Sequence, residues 1–127
     1  MATLGESQVR GIAQPEVQRF LLYDALDCSP ALVFVADHDM QYLAVNQTAC
    51  DILGYTREEL LSLRVTDIAV APDAPETYRE LRNARSHAGS TQIRTKDGRL
   101  LPLSYHASEV KVAGMQYYLS IGFVADE

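Results

Sequence analysis

The sequence predicts a domain of the α+β class, in which helices cover one antiparallel sheet. Two observations predict this class. Strand and helix patterns are largely segregated, because a strand pair leads into a helical middle and three strands follow it. The last strands are also separated by short turns, Lys96-Asp97-Gly98 and one around Gly114, which are typical of antiparallel hairpins. With 127 residues, we expect one hydrophobic core.

The chain should begin with a flexible leader over residues 1–14, followed by an amphipathic helix within residues 15–29. Pro15 suits a first helical turn, and Val17, Phe20 and Leu21 fall on one stripe of a helix that runs to Asp27. Its apolar surface is wider than a free-standing amphipathic helix would carry. It must therefore be covered by the sheet, by a partner chain, or by both.

The next segment combines a strand pair with a capped helix. Ala31 to Ala36 and Gln41 to Val45 read as strands on either side of an acidic turn. Asn46 then predicts the N-cap of a helix that runs to Leu53 and ends at Gly54. Three residues separate Thr56 from Glu59, which is the spacing of a capping box and indicates another helical turn.

The remaining elements are a helical middle and three strands. Short helical turns are expected over Val65 to Val70, and a charged helix over Asp73 to Arg85. Strands are expected beyond Gly89, over three stretches: Thr91 to Thr95, Leu100 to Val110, and Met115 to Ala125.

This order of elements resembles the PAS sensory domain. The segments Asp37 to Tyr55 and Thr95 to Asp126 carry most of the resemblance, which spans roughly residues 24 to 126. It implies a PAS fold over residues 30–127, with five antiparallel strands in the order 2-1-5-4-3 and helices across one face. It also implies that a ligand is held between the sheet and the helices.

Composition narrows the set of partners. The formal charge of −6 disfavours nucleic-acid binding by this chain, because such binding depends on positive surface. The sequence contains no apolar run of membrane-spanning length and no basic, apolar leader, so we expect a cytoplasmic protein without membrane contact. Cys28 and Cys50 fit no metal-binding spacing and are expected to stay reduced.

Matching this sequence to the family, together with strand alternation, predicts which side chains face the ligand space. The lining is mostly apolar, with phenols and one hydroxyl as polar groups. The candidate ligand-binding residues are Phe34, Ala36, Leu53, Ile68, Tyr78, Ile93, Leu103, Tyr105, Tyr118 and Ser120. For each of them, packing in the core is the simpler interpretation. A ligand in this space should be small and polar enough to hydrogen bond to a phenol.

We expect no flavin, haem or metal. The flavin branch of the family carries a reactive cysteine where this chain has Val65, and amides where it has Ile93, Leu103 and Val124. Apolar residues there would leave the polar edge of a flavin unpaired. The haem branch supplies a histidine from the long helix, whereas His87 should lie beyond that helix, on a surface turn.

Apolar residues at outward strand positions predict a homodimer. The candidate interface combines the N-terminal helix with the outer sheet face, through Val17, Phe20, Leu21, Val33, Val35, Ile121 and Phe123. The predicted function is a cytoplasmic sensory module of a bacterial signalling protein that binds a small organic molecule. Its effector domain would lie elsewhere in a longer transcriptional regulator, histidine kinase or cyclic-dinucleotide enzyme.

Two alternatives remain open from the sequence. One is a small α+β enzyme, such as an isomerase or hydrolase, with an apolar pocket. The sequence assigns no catalytic residue, and we expect no carboxylate at an inward strand position that could act as a general base. The other alternative is an interaction module whose core is filled by its own side chains and holds no ligand.

Overall fold

The computed structural model describes residues 14–70 and 86–125. Five antiparallel strands form one sheet in the order β2-β1-β5-β4-β3, as expected. The helices are α1 (Pro15–Asp27), α2 (Gln47–Leu53), α3 (Arg57–Leu61) and α4 (Val65–Ile68). The strands are β1 (Leu32–Ala36), β2 (Tyr42–Val45), β3 (Ser86–Arg94), β4 (Leu100–Val112) and β5 (Met115–Val124).

Local sequence signals account for the turns. The side-chain carboxylate of Asp37 accepts hydrogen bonds from the backbone N–H groups of Asp39 and Gln41, which closes the turn between β1 and β2. Gly54 ends α2 in the left-handed conformation, at φ 83°. Thr56 and Glu59 exchange both hydrogen bonds of a capping box at the start of α3.

The helical layer is tied to the sheet by backbone hydrogen bonds at both ends. The N–H of Lys96, in the turn after β3, donates to the carbonyl of Leu53 at 2.8 Å. The N–H of Val70 donates to the carbonyl of Gln92 in β3 at 2.9 Å. Between these ties lies the main core, where Leu32, Leu53, Leu60 and Ile68 are fully buried.

One ion pair reinforces the tie between the helices and the β3–β4 turn. Lys96 Nζ donates to Glu59 Oε2 at 2.7 Å, and this bond, with the N–H of Thr56, lowers the pKa of the Glu59 carboxyl below its ordinary 4.5. Because the folded state favours the carboxylate, the contribution to stability is present above pH 4.5 and is lost as pH falls below it.

We therefore expect Lys96→Met to raise the pKa of Glu59 back towards 4.5, because the mutation removes the strongest bond to the carboxylate. Carboxyl ¹³C NMR titration measures this pKa directly. Lys111→Met, which removes an exposed lysine on β4, serves as the control and should leave Glu59 unchanged. An unaltered Glu59 titration in Lys96→Met would show that the ion pair is not formed in solution.

Two glycines on the inner face of the sheet differ in the space around them. A Cβ added to Gly122 in β5 would lie 2.8 Å from the backbone oxygen of Ser104. At Gly89 in β3 the nearest atom would be the flexible end of the His87 side chain, at 3.0 Å. Gly122 is therefore required by the close approach of β4, whereas Gly89 has neighbours that can move.

Gly122→Ala should lower the free energy of unfolding by about 2 kcal/mol, because the backbone must shift to admit the methyl group. Gly89→Ala is the matched control, with an expected loss below about 1 kcal/mol since a side chain can yield. Urea denaturation of both variants checks the comparison. Equal losses would contradict the packing described for β4 and β5.

Candidate functional site

Strand register divides the sheet into an inner face under the helices and an outer face. Leu32, Phe34 and Ala36 of β1 pair with Gly122, Ser120 and Tyr118 of β5, so these six positions share the inner face. Tyr105 of β4 pairs with Gly122, and Leu103 with Val124, which extends the same face onto β4. This register agrees with the inward positions predicted from alternation.

One half of the inner face is filled by the main core. It lies against α2, α3 and α4 and contains six of the predicted ligand-binding residues, each at most 6% exposed: Phe34, Ala36, Leu53, Ile68, Ile93 and Leu103. Their mutual contacts match the simpler interpretation, in which these side chains pack against each other.

The other half of the inner face carries hydroxyl groups, and fewer of its described residues are buried. Tyr118 and Ala107 are buried in a second, smaller cluster, with half-buried Tyr105 against it. Ser120 lies beside them opposite Phe34 and is also half-buried. These residues, with Thr91 of β3, form what we call the hydroxyl half of the face. The last predicted lining residue, Tyr78, lies outside the described residues.

Thr91 is a candidate site residue that was not among those predicted from the sequence. It pairs with Leu103 and so lies on the inner face of β3. Its hydroxyl oxygen is buried and has no hydrogen-bond partner within residues 14–70 and 86–125. A buried hydroxyl without a partner lowers the stability of the fold by about 1–3 kcal/mol. A bound molecule with a hydrogen-bond donor or acceptor at this position would remove that cost. Alternation already gave Thr91 the same inward parity as Ile93 in the predicted strand, but burial of its hydroxyl is seen only in the structure.

The prediction that His87 lies on a surface turn was wrong. It lies in β3, opposite Ala107, and not on a surface turn. Its ring is half-buried and lies 6.0 Å from that of Tyr105, centroid to centroid. The strand begins at Ser86 because residues 86–90 continue the ladder with β4, and Gly89 is accommodated within that ladder. His87 thus borders the hydroxyl half.

The expectation that no carboxylate takes an inward strand position was also wrong. Glu109 pairs with Tyr118 and therefore has inward parity on β4. It lies where the β4–β5 hairpin extends past the end of β3, and its carboxylate accepts a hydrogen bond from the Gln116 side-chain amide. The Glu109 carboxylate is therefore already hydrogen-bonded within the β4–β5 hairpin.

Asn46 connects four backbone groups at the start of α2. Its Oδ1 accepts from the N–H of Ala49 at 3.1 Å and from the N–H of Val33 at 3.0 Å. Its Nδ2 donates to the carbonyls of Leu26 and Ala31 at 2.7 and 2.8 Å. The side chain therefore caps α2 and also holds the chain between α1 and β1.

The residues of the candidate dimer interface differ in exposure. Phe20 and Leu21 are exposed on α1, and Ile121 and Phe123 are exposed on β5, whereas Val17 and Val35 are half-buried. Val33 was predicted to contact a partner from an outward position on β1, but only 8% of it is exposed, so little of it can reach a partner. β1 is an interior strand of the sheet, and β2 and β5 flank it on both sides.

An open groove of about 430 Å³ crosses the outer face of the sheet. It is bordered by Leu119, Ile121 and Phe123 on β5 and by Ser104, His106 and Ser108 on β4, with Tyr105 contributing at its edge. The groove is on the side opposite the hydroxyl half. It therefore belongs to the candidate protein interface and not to the predicted ligand space.

The residues at the flavin-matching positions do not fit a flavin. Ile93 and Leu103 are buried in the main core, Val65 is 9% exposed, and Val124 packs against the same core. None of these side chains can pair with the polar edge of a flavin. In the described parts of the chain, no three His, Cys, Asp or Glu residues are grouped so that they could hold a metal ion. No helix among those residues is long and apolar enough to cross a membrane.

Solved structures share this arrangement. A PAS domain from a two-component sensor histidine kinase is 22% identical, with a TM-score of 0.78 over 88% of this chain and 100% of that one. The PAS domain of an HTR-like protein from Haloarcula marismortui is also 22% identical, with a TM-score of 0.79 over 92% and 99%. A domain of a sensor histidine kinase/response regulator from Geobacter sulfurreducens gives 22% identity and a TM-score of 0.75 over 89% and 99%.

A search of curated proteins gave no match. The family model described as "PAS domain" matches residues 30–127, which include all five strands and the helices α2, α3 and α4. The match agrees with the strand order and with the cap, turn and capping-box signals of the sequence. The chain therefore belongs to the PAS domain family.

Proposed function

We propose that this chain is the sensory module of a cytoplasmic bacterial signalling protein, binding a small organic molecule against the hydroxyl half of the inner face. The observation that carries the proposal is the contrast between the two halves of that face. The half under α2, α3 and α4 is filled by buried apolar side chains, while the other presents the hydroxyls of Tyr105, Tyr118, Ser120 and Thr91. The parent protein would be a transcriptional regulator or sensor kinase.

The buried Thr91 hydroxyl favours this function over a filled interaction module. In a core filled by the protein's own side chains, a buried hydroxyl would be expected to have a hydrogen-bond partner, because an unpaired one destabilises the fold. A ligand with a hydrogen-bonding edge would supply the missing partner. The same reasoning gives the class of molecule: small, partly apolar, and carrying at least one hydroxyl, carbonyl or carboxyl group.

Bound ligand should be lost when the hydroxyl half is filled. In Ser120→Leu, the larger side chain would project into the ligand space from β5, so the amount of co-purified small molecule should fall at least about tenfold. Ser90→Leu is the matched control, because Ser90 is exposed on the outer face of β3 and does not border the groove. Chromatography with mass spectrometry of organic extracts from equal amounts of folded protein measures the loss.

Retention of the same molecule in Ser120→Leu would place any binding elsewhere. The absence of a molecule from the unmodified protein would favour the ligand-free interaction module. Thr91→Val provides a second variant of nearly unchanged volume, and it should weaken binding while leaving the fold intact, since it removes only the unpaired hydroxyl.

The proposal includes a homodimer formed by α1 and the outer face. The outward positions of β5 are Met115, Tyr117, Leu119, Ile121 and Phe123, which make an apolar stripe about 27 Å long at 3.4 Å per residue. The 13 residues of α1 span about 20 Å, and no residue of α1 is buried within its own chain. A partner's α1 on this stripe would cover both apolar surfaces.

A further inference from the structure

Helix α1 is held to the domain by polar contacts at its C-terminal end. No residue of α1 is buried, so packing of its apolar stripe does not fix its position. The carbonyl of Leu26 accepts from Asn46 Nδ2, and Asp27 Oδ1 accepts from Arg57 Nη2 at 2.6 Å and from the N–H of Gln47 at 2.9 Å. All three donors belong to the helical layer, at the starts of α2 and α3.

Asp27 is well placed to hold the end of α1. Its carboxylate receives the first backbone N–H of α2, where the helix dipole favours negative charge, and also a guanidinium. The Asp27 side chain is 22% exposed and that of Arg57 is 37% exposed, so the pair is partly sheltered from solvent. Such a pair is less weakened by water and salt than a fully exposed one.

The Arg57 side chain leaves one buried nitrogen unpaired, which indicates that a specific contact holds it in place. Its Nε is buried and has no hydrogen-bond partner among the described residues. A buried nitrogen without a partner is unfavourable, so the side chain stays there because of the bond that Nη2 makes to Asp27. The residues lie 30 positions apart in the chain, so this is a tertiary contact and not a helix-surface pair.

We propose that Asp27, Arg57 and Asn46 form a clasp that sets the direction in which α1 leaves the domain. The starts of α2 and α3 then carry α1, and Asn46 also joins this end of α1 to β1 through Val33. A displacement of α3 moves the Arg57 donor and turns α1 with it. This device goes beyond the proposed function, because it holds whether or not a ligand is bound.

The clasp can be tested by measuring a distance from α1 to the domain body. Spin labels are placed at Arg19→Cys on α1 and Thr66→Cys on α4, both exposed positions, with Cys28→Ser and Cys50→Ala to remove the native thiols. Phe20→Glu is included so that a second copy cannot hold α1. Double electron–electron resonance then gives the distance distribution in the full chain.

With the clasp intact, we expect one narrow distribution. Arg57→Met should at least double its width, whereas Arg57→Lys, which can still donate to Asp27, should change it little. Asp27→Asn changes only an α1 side chain outside the core, and it should also broaden the distribution if Arg57→Met fails to fold. Arg99→Met breaks an exposed ion pair with Asp97 in the β3–β4 turn and is the control.

A narrow distribution that persists in both Arg57→Met and Asp27→Asn would overturn the proposal, because the bond between Asp27 and Arg57 would then not set the direction of α1. A broad distribution with the clasp intact would also overturn it. Neither result depends on ligand retention, so failure of the clasp is distinguishable from failure of the proposed ligand function.

Discussion

Asn46→Ala is expected to lower the free energy of unfolding by about 3 kcal/mol. Loss of the α2 cap accounts for about 1 kcal/mol, and the buried N–H of Val33 and carbonyl of Ala31 lose partners that water cannot easily replace. In a domain of this size, the melting temperature should fall by about 10 °C. Differential scanning calorimetry measures the change.

Two variants separate the roles of Asn46. Asn46→Asp keeps the acceptor for the N–H groups of Ala49 and Val33 but removes the donors to Leu26 and Ala31. The decrease in its free energy of unfolding should therefore measure the contribution of the link between α1 and β1. Gln47→Ala changes the exposed neighbouring residue and should cost below about 1 kcal/mol. If Asn46→Ala costs no more than about 1 kcal/mol, Asn46 acts only as a cap.

Phe20→Glu is expected to convert a homodimer into a monomer. Phe20 is 70% exposed on α1, beside the exposed Leu21, and the proposed partner surface is the apolar stripe of β5. A carboxylate in that interface would lose its hydration without gaining a partner. Sedimentation equilibrium at micromolar concentration should show a dimer for the unmodified chain and a monomer for the variant.

Gln18→Glu is the matched control for the dimer experiment. It makes the same change in charge on α1, about 200° around the helix from Phe20, and should leave the dimer intact. If the unmodified chain sediments as a monomer, or if both variants dissociate equally, the outer face is not the interface that we propose.

Most of the fold was predictable because its signals are local or strictly periodic. The cap at Asn46, the left-handed Gly54 and the Thr56–Glu59 box each lie within a few residues of their partners. Alternation supported the inward positions of β4, because a shift of one residue would have turned Leu103, Tyr105 and Ala107 outward. The outward positions of β5 are also apolar, so its inward positions followed from the family resemblance. The strand order followed from the family resemblance and agrees with the structure.

The features that could not be predicted depend on distant residues. Gly89 and the polar residues near it indicate a turn locally, but pairing with β4 recruits them into β3 and places His87 on the inner face. The Asp27–Arg57 bond joins residues that no periodic pattern relates. The orphaned Thr91 hydroxyl could be recognised only once the register and burial were known.

Native mass spectrometry of the unmodified chain, purified gently and without added ligand, tests the central claim most directly. We predict a dimer whose mass exceeds twice that of the polypeptide by one small organic molecule per chain. Collisional activation should release that molecule and leave the bare subunits. A species with the mass of the bare polypeptide alone, obtained from folded protein under the same conditions, would contradict the account.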